Sequence, residues 1–335
     1  MEFDLPVIWL MVILFAITMY VIMDGFDLGI GILFPFVQDK HDRDVMMNTV
    51  APVWDGNETW LVLGGAGLMA AFPLAYAVVL SALYQPIILM LLGLIFRGVA
   101  FEFRFKAPEA EQHIWDKAFI GGSITAAFFQ GVTLGAYING IVLENKAFVG
   151  GAFDWISPFA LVTGLGVMVA YALLGSTWLI MKTEEHLQQR LLQLTRPLVG
   201  LVIVALLVVS IWTPLAHPGI AERWFSLPNF YFLSLVPVLV TISLYSLMRE
   251  LKSGYDRQPF IAALIIVLLG LLGLAISIWP QIIPPDITIW EAAAPESSLK
   301  FALVGTLAIV PMILAYTIWS YRVFKGKVRH GDGYH

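Results

Sequence analysis

The sequence predicts an all-α integral membrane protein, a compact bundle of about nine transmembrane helices, and three observations carry that prediction. Of its 335 residues, 59% are hydrophobic and only 13% are charged, with a mean hydropathy of +0.83. A soluble domain of this size needs a far more polar surface. The apolar residues run on without alternation, which selects spanning helices over a closed barrel. The basic residues cluster in alternate loops, which gives the bundle a direction. The longest non-apolar stretches, 99–117 and 281–300, are only loops, so residues 1–335 read as a single transmembrane domain.

The first span is predicted at 7–35. Its leader, Met1-Glu2-Phe3-Asp4-Leu5-Pro6, carries no Lys or Arg. Without a basic n-region, and with a run too long for a signal peptide, it reads as a true span. Next comes an unbroken apolar stretch from Trp54 to Arg97. As one helix it would be roughly 66 Å long at the standard rise per residue, far beyond the hydrocarbon thickness. It therefore divides into spans at 55–73 and 76–98, with Phe72-Pro73 as the breaking point. The remaining spans are predicted at 118–142, 156–181, 197–215, 230–248, 259–281 and 301–321. Gly25 with Gly29, and Gly131 with Gly135, recur at helical spacing suited to close helix packing.

Charge orients the bundle. Lys40 and Arg43 follow the first span; Arg97, Arg104, Lys106 and Lys117 follow the third; Lys182, Arg190 and Arg196 follow the fifth. Arg249, Lys252 and Arg257 follow the seventh, and Arg322, Lys325, Lys327 and Arg329 follow the last, so that 16 of 19 basic residues share one side. Lys146, Arg223 and Lys300 lie opposite. The positive-inside rule then puts the N-terminus outside and the C-terminus in the cytoplasm.

Ionisable groups inside a bilayer are costly, so they point to function. Asp24 and Asp27 sit three apart in the first span and share a helix face. Asp55 and Glu58 do the same at the start of the second, with Asn57 between them, and the third ends with Arg97, Glu102 and Arg104. In the predicted topology all seven charges fall at one depth, five acids against two arginines. One reading is a polar path for protons from the cytoplasm, or a cation site. The other is a buried ion-pair network that clamps three helices.

Several classes are excluded by absence. With no cysteine, disulfides, iron–sulfur clusters and thiolate-bound or covalently attached haem all fall away. His41, His113, His186, His217, His330 and His335 lie in loops or tails, so the chain by itself is a poor haem carrier, and no metal ligands are assigned in it. Met19 and Met23 read as core packing rather than ligands. A net charge of −5 argues against nucleic acid. Trp9, Trp115, Trp155, Trp212 and Trp319 mark span ends as an aromatic belt. Trp54 and Trp60 are the rings nearest the acids, where a quinone could stack, against the blander reading as belt residues. Lys182–Gln188 reads as a solvated turn, and Pro284–Glu291 as a capping loop or a contact for a neighbouring subunit.

At these residues the sequence resembles subunit II of the cytochrome bd quinol oxidase family. The motifs are Asp24-Gly25-Phe26-Asp27-Leu28-Gly29, the run Asn48–Leu61 around Trp54-Asp55-Gly56-Asn57-Glu58-Thr59-Trp60, and Phe96–Arg104. They cover the first three spans; the remainder matches mainly in hydropathy. A brief loop at 216–229 gives the chain the look of the compact, cyanide-insensitive branch. The resemblance implies a haem-free, nine-helix subunit packed on a haem-bearing subunit I in a bacterial cytoplasmic (inner) membrane. That partner carries the b- and d-type haems and the catalytic residues, so none is expected in this chain. The complex oxidises quinol and reduces dioxygen to water with cytoplasmic protons. Membrane lipids, a small single-helix accessory subunit and a structural quinone are further expected associates. Asp55 occupies the position the family implicates in a proton route, whereas Glu58 departs from the Gln that many members carry.

Three hypotheses follow. In the first, Asp24, Asp27, Asp55 and Glu58 serve proton uptake in an oxidase subunit, with Asn57 orienting them and Arg97 and Glu102 tuning their charge. The second is a stand-alone proton- or cation-coupled transporter, weakened by the lack of paired broken helices. The third is a purely structural assembly subunit.

Overall fold

The computed structural model describes residues 4–329 and 331. Thirteen helices carry the chain among these residues: α1 Leu5–Leu33, α2 Lys40–Asn48, α3 Trp54–Ala71, α4 Pro73–Arg104, α5 Gln112–Asn139, α6 Pro158–Lys182, α7 Glu185–Ala216, α8 Pro218–Phe225, α9 Asn229–Leu233, α10 Leu235–Ser253, α11 Gln258–Ile278, α12 Ile289–Ala292 and α13 Glu296–Val323. Two small hairpins, β1 Leu143–Glu144 with β2 Ala147–Phe148 and β3 Gln281–Ile283 with β4 Ile287–Thr288, lie at one end. Among the described residues eight helices are long and apolar enough to cross a membrane: α1, α4, α5, α6, α7, the α9–α10 unit, α11 and α13. Helix α3, over the second predicted span, has 18 residues and opens with Asp55, Asn57 and Glu58. These polar first turns make it less apolar than the eight.

Local chemistry sets the helix ends. The Asp4 and Ser157 side chains accept the Val7 and Ala160 amides and start α1 and α6. The chain breaks between α3 and α4 at Phe72, whose φ of −134° and ψ of 64° are not helical. The Ala71 carbonyl freed by the break accepts the Ala294 amide at 2.8 Å. Within α4, Pro86 removes one helical hydrogen bond and crowds the preceding turn, and Leu83 accordingly leaves helical geometry. Helix α5 stops at Asn139 because Gly140 adopts a φ of +93°, open to glycine.

Packing then follows from small residues. In lipid there is little hydrophobic drive between helices, so close van der Waals contact carries association. Gly29 of α1 lies so near the backbone of Tyr171 and Gly175 on α6 that a Cβ there would collide with the Tyr171 carbonyl. Gly131 and Gly135 bring α5 onto Gly164 and Ala160 of α6 in the same way. Around these crossings α1, α3, α4, α5 and α6 form the best-buried part of the bundle, and α13 lies against α3 and α1.

Lys182 is not in a solvated turn: it is buried, and its Nζ donates to the Phe324 and Gly326 carbonyls. The break covers only Thr183-Glu184, because α7 begins at Glu185. Segment Pro284–Glu291 caps this chain's own bundle. Ile141 N donates to the Pro284 carbonyl, and the Trp290 indole donates to Asp4 Oδ2 at 2.9 Å.

Candidate functional site

The intramembrane charges gather where α1, α3, α4 and α13 meet. The glycines of α1 draw it against α6, and its opposite face presents Asp24 and Asp27 to α3 and α4. Arg97 of α4 is fully buried and pairs with Asp24 Oδ1 at 2.7 Å, with Glu58 Oε2 at 2.9 Å and more distantly with Asp27 Oδ2 at 3.9 Å. Its guanidinium also lies 5.7 Å from the centre of the Trp54 ring. Asp24 and Asp27 are themselves fully buried, while the Glu58 side chain is 28% exposed. Asn57 Nδ2 donates to Asp27 Oδ2 at 2.9 Å, and its Oδ1 accepts the Tyr321 hydroxyl at 2.8 Å. Removing one partner of such a buried pair costs about 3–5 kcal/mol, and the pairs of Arg97 join α1, α3 and α4.

The other predicted charges lie elsewhere, which corrects the expectation of one seven-membered cluster. Arg104 follows Arg97 by two turns, and about 10 Å of helical rise carries it past the acids of α1. It pairs instead with Asp116 Oδ1 at 2.5 Å and Asp44 Oδ1 at 2.6 Å, while Arg43 takes the second Asp116 oxygen at 2.8 Å. Asp55 and Glu102 are exposed and outside the buried network; Glu102 pairs with Lys106 at 3.1 Å. Both line a cavity of about 250 Å³ between the start of α3 and the end of α13, together with Trp54, Asn57, Tyr316, Thr317, Ser320 and Tyr321.

This cavity is small and largely polar, a poor fit for an apolar quinone, since ligand pockets of that kind run to about 300–1,000 Å³ with apolar walls. Trp60 is fully buried with its ring edge-to-face on Phe15, so it has no face free for a ligand. Trp54 lines the cavity but already stacks on Phe101 at 5.2 Å.

Sequence reasoning missed Tyr321, which looks like one more interfacial aromatic at a span end. It also missed Asp44 and Asp116, whose partners depend on how the loops fold under. Gln130, whose Oε1 accepts the Tyr171 hydroxyl at 2.6 Å, carried a usable signal as an amide in mid-span.

A family model described as cytochrome bd terminal oxidase subunit II matches residues 5–324. The chain belongs to that family. It is 28% identical to the cytochrome bd ubiquinol oxidase subunit 2 of Bacillus subtilis (strain 168), with 97% of each chain covered. It is also 28% identical to the cytochrome bd-I ubiquinol oxidase subunit 2 of Escherichia coli (strain K12), over 97% of this chain and 95% of that one. Among solved structures, the bd oxidase from Geobacillus thermodenitrificans aligns with a TM-score of 0.80 at 19% identity, covering 96% and 99% of the two chains, and so shares the fold. Membership favours the oxidase-subunit reading over the stand-alone transporter, and a second subunit implies a subunit I.

This family serves a haem-containing oxidase, and haem iron in a membrane bundle is commonly held by histidine. His41 lies on α2, His113 and His186 in the first turns of α5 and α7, and His217 at the C-terminal cap of α7; His330 and His335 fall outside the described residues. None of the described histidines reaches the bundle interior, so they do not fit an axial haem ligand there. Among the described residues no group of three or more His, Cys, Asp or Glu could hold a metal ion.

Proposed function

We propose that this chain is the haem-free second subunit of a bd-type quinol:oxygen oxidoreductase, and that it supplies a proton-uptake path from the cytoplasm for the reduction of dioxygen to water. The observation that carries the path is a continuous polar connection. The cavity lined by Asp55 and Glu102 meets the Tyr321–Asn57 pair, and Asn57 hands on to the buried Asp27. Asp55 and Glu102 at the mouth attract protons; Asn57 orients Asp27; Arg97 sets the charge of the interior.

Charge balance supports this reading. Asp24, Asp27 and Glu58 face Arg97 alone in the buried cluster. With all three carboxylates ionised, two negative charges would stand uncompensated in a low-dielectric site, which is expensive. A cluster of that composition stores and passes on a proton readily. The other oxygen of Asp27, Oδ1, is buried with no hydrogen-bond partner among the described residues, which leaves it free to accept one.

The complex lies in the bacterial inner membrane with the N-terminus outside. The described bundle works as one transmembrane unit against a haem-bearing subunit I, with lipids and a small accessory helix as further associates. The test is Asp55→Asn in the assembled oxidase, read as oxygen consumption and proton uptake with quinol as donor. Both are expected to fall together. Intact turnover with intact uptake would remove Asp55 from the path and leave the cluster as a structural clamp.

A further inference from the structure

The proposed route passes Tyr321, on the last turns of α13 where that helix lies against α3 and α1. Along its 28 residues the buried ones are Leu299 near the start and Thr317 near the end. The segment beyond it is tied to the end of α6. Lys182 Nζ, at the end of α6, donates to the Phe324 carbonyl at 2.8 Å and the Gly326 carbonyl at 3.1 Å. In return Val328 N donates to the Lys182 carbonyl at 2.8 Å. Lys327 Nζ donates to the Thr183 carbonyl at 3.0 Å and pairs with Asp256 Oδ2 at 2.6 Å in the turn before α11. Arg329 pairs with Glu184 at 3.0 Å.

The contacts lead straight to the site. Lys182 Nζ sits 5.1 Å from the centre of the Trp178 ring, one helical turn back on α6. Trp178 in turn meets the Tyr321 ring edge-to-face at 6.1 Å. A buried ammonium is costly unless carbonyls or an anion satisfy it, so Lys182 draws the tail tightly under α6. A helix end is also where local opening is cheapest.

We infer that Phe324–Arg329 is a strap, tied by Lys182, that holds Tyr321 on Asn57 and thereby sets how far the cavity opens toward Asp27; its effect on turnover rests on the proton-path reading, whereas its effect on accessibility does not. Lys182 is on this account a positioning residue.

The chain has no cysteine, so a single introduced thiol is its one labelling site, read on this chain's own band after the subunits are separated. In the assembled oxidase carrying Thr317→Cys, one measures labelling by a water-soluble maleimide, and in parallel the pH profile of oxygen consumption. Lys182→Met and deletion of 325–335 are each expected to raise the labelling rate about tenfold through local opening, while Lys182→Arg keeps the parental rate. Should the deletion not assemble, Lys327→Ala with Arg329→Ala provides the second variant. An unchanged labelling rate in assembled complexes of both variants overturns the strap. Faster labelling with an unchanged pH profile and turnover upholds the strap and removes Tyr321 from the proton path.

Discussion

The Tyr321 hydroxyl donates to Asn57 Oδ1 at 2.8 Å, joining residues 264 positions apart. Asn57 can accept that bond while donating to Asp27 because its amide carries both functions. An acid in its place would repel Asp27, and an apolar residue would end the connection, so the amide is the suitable link between the cavity and the buried acids.

Tyr321→Phe removes only the hydroxyl. One net hydrogen bond is worth about 1 kcal/mol, equivalent to about fivefold in a rate that depends on it. The complex is expected to assemble normally and to consume oxygen about fivefold more slowly with quinol as donor. Parental turnover in a correctly assembled complex would rule the hydroxyl out.

Arg97→Leu strands Asp24, Asp27 and Glu58 without their cation. A loss of about 3–5 kcal/mol is expected, read as poor recovery of the complex from membranes. Adding Asp24→Leu removes a buried charge together with its partner and restores part of the yield. Equal yields for the single and double variants would contradict the ion-pair account.

Gly29→Ala inserts a methyl group against the Tyr171 carbonyl. Backbone cannot yield as a flexible side chain does, and overpacking of this kind costs about 1–3 kcal/mol or more. The variant should unfold at a lower temperature in detergent. Gly65→Ala on α3, with nothing within 4 Å of the added carbon, serves as the control and should match the parent.

Glu291 closes a capping box with Thr288, whose backbone amide and hydroxyl both donate to Glu291 Oε2 at 2.8 Å. The backbone hydrogen bond first, and the hydroxyl second, hold its carboxyl below the usual range. A group with a depressed folded pKa adds stability above its unfolded value, which is lost as pH falls through the folded one. Glu291→Gln should therefore lower the unfolding temperature at pH 7, with the gap closing below about pH 4. A gap that persists unchanged at low pH would assign the effect to shape and not to charge.

Particular elements explain what could be read in advance. The break at Phe72 was legible because an apolar run from Trp54 to Arg97 cannot fit one crossing and a proline sits at its middle. The meeting of Asp24, Asp27, Glu58 and Arg97 was legible because buried ions must find one another. Asp55 shares a helical face with Glu58, yet that rule gives direction only, and the first turn of α3 points its carboxylate into the cavity. Arg104 looked equivalent to Arg97, but two turns of rise bring it to Asp44 and Asp116 instead.

Helical structure, a membrane setting and charge at one end of the first spans can all be read from the amino-acid sequence alone. Each of these follows from local quantities: the length and hydropathy of a run, the hydrogen bonds a helix makes within itself, and the cost of an isolated ion. Which ions pair, which acids reach solvent, and the part a tyrosine on the last span takes in the connection emerge from the folded arrangement. Those outcomes depend on which helices touch and at what height, and contacts such as Gly29 on Tyr171 and Lys182 on Phe324 set that geometry between residues far apart in the chain.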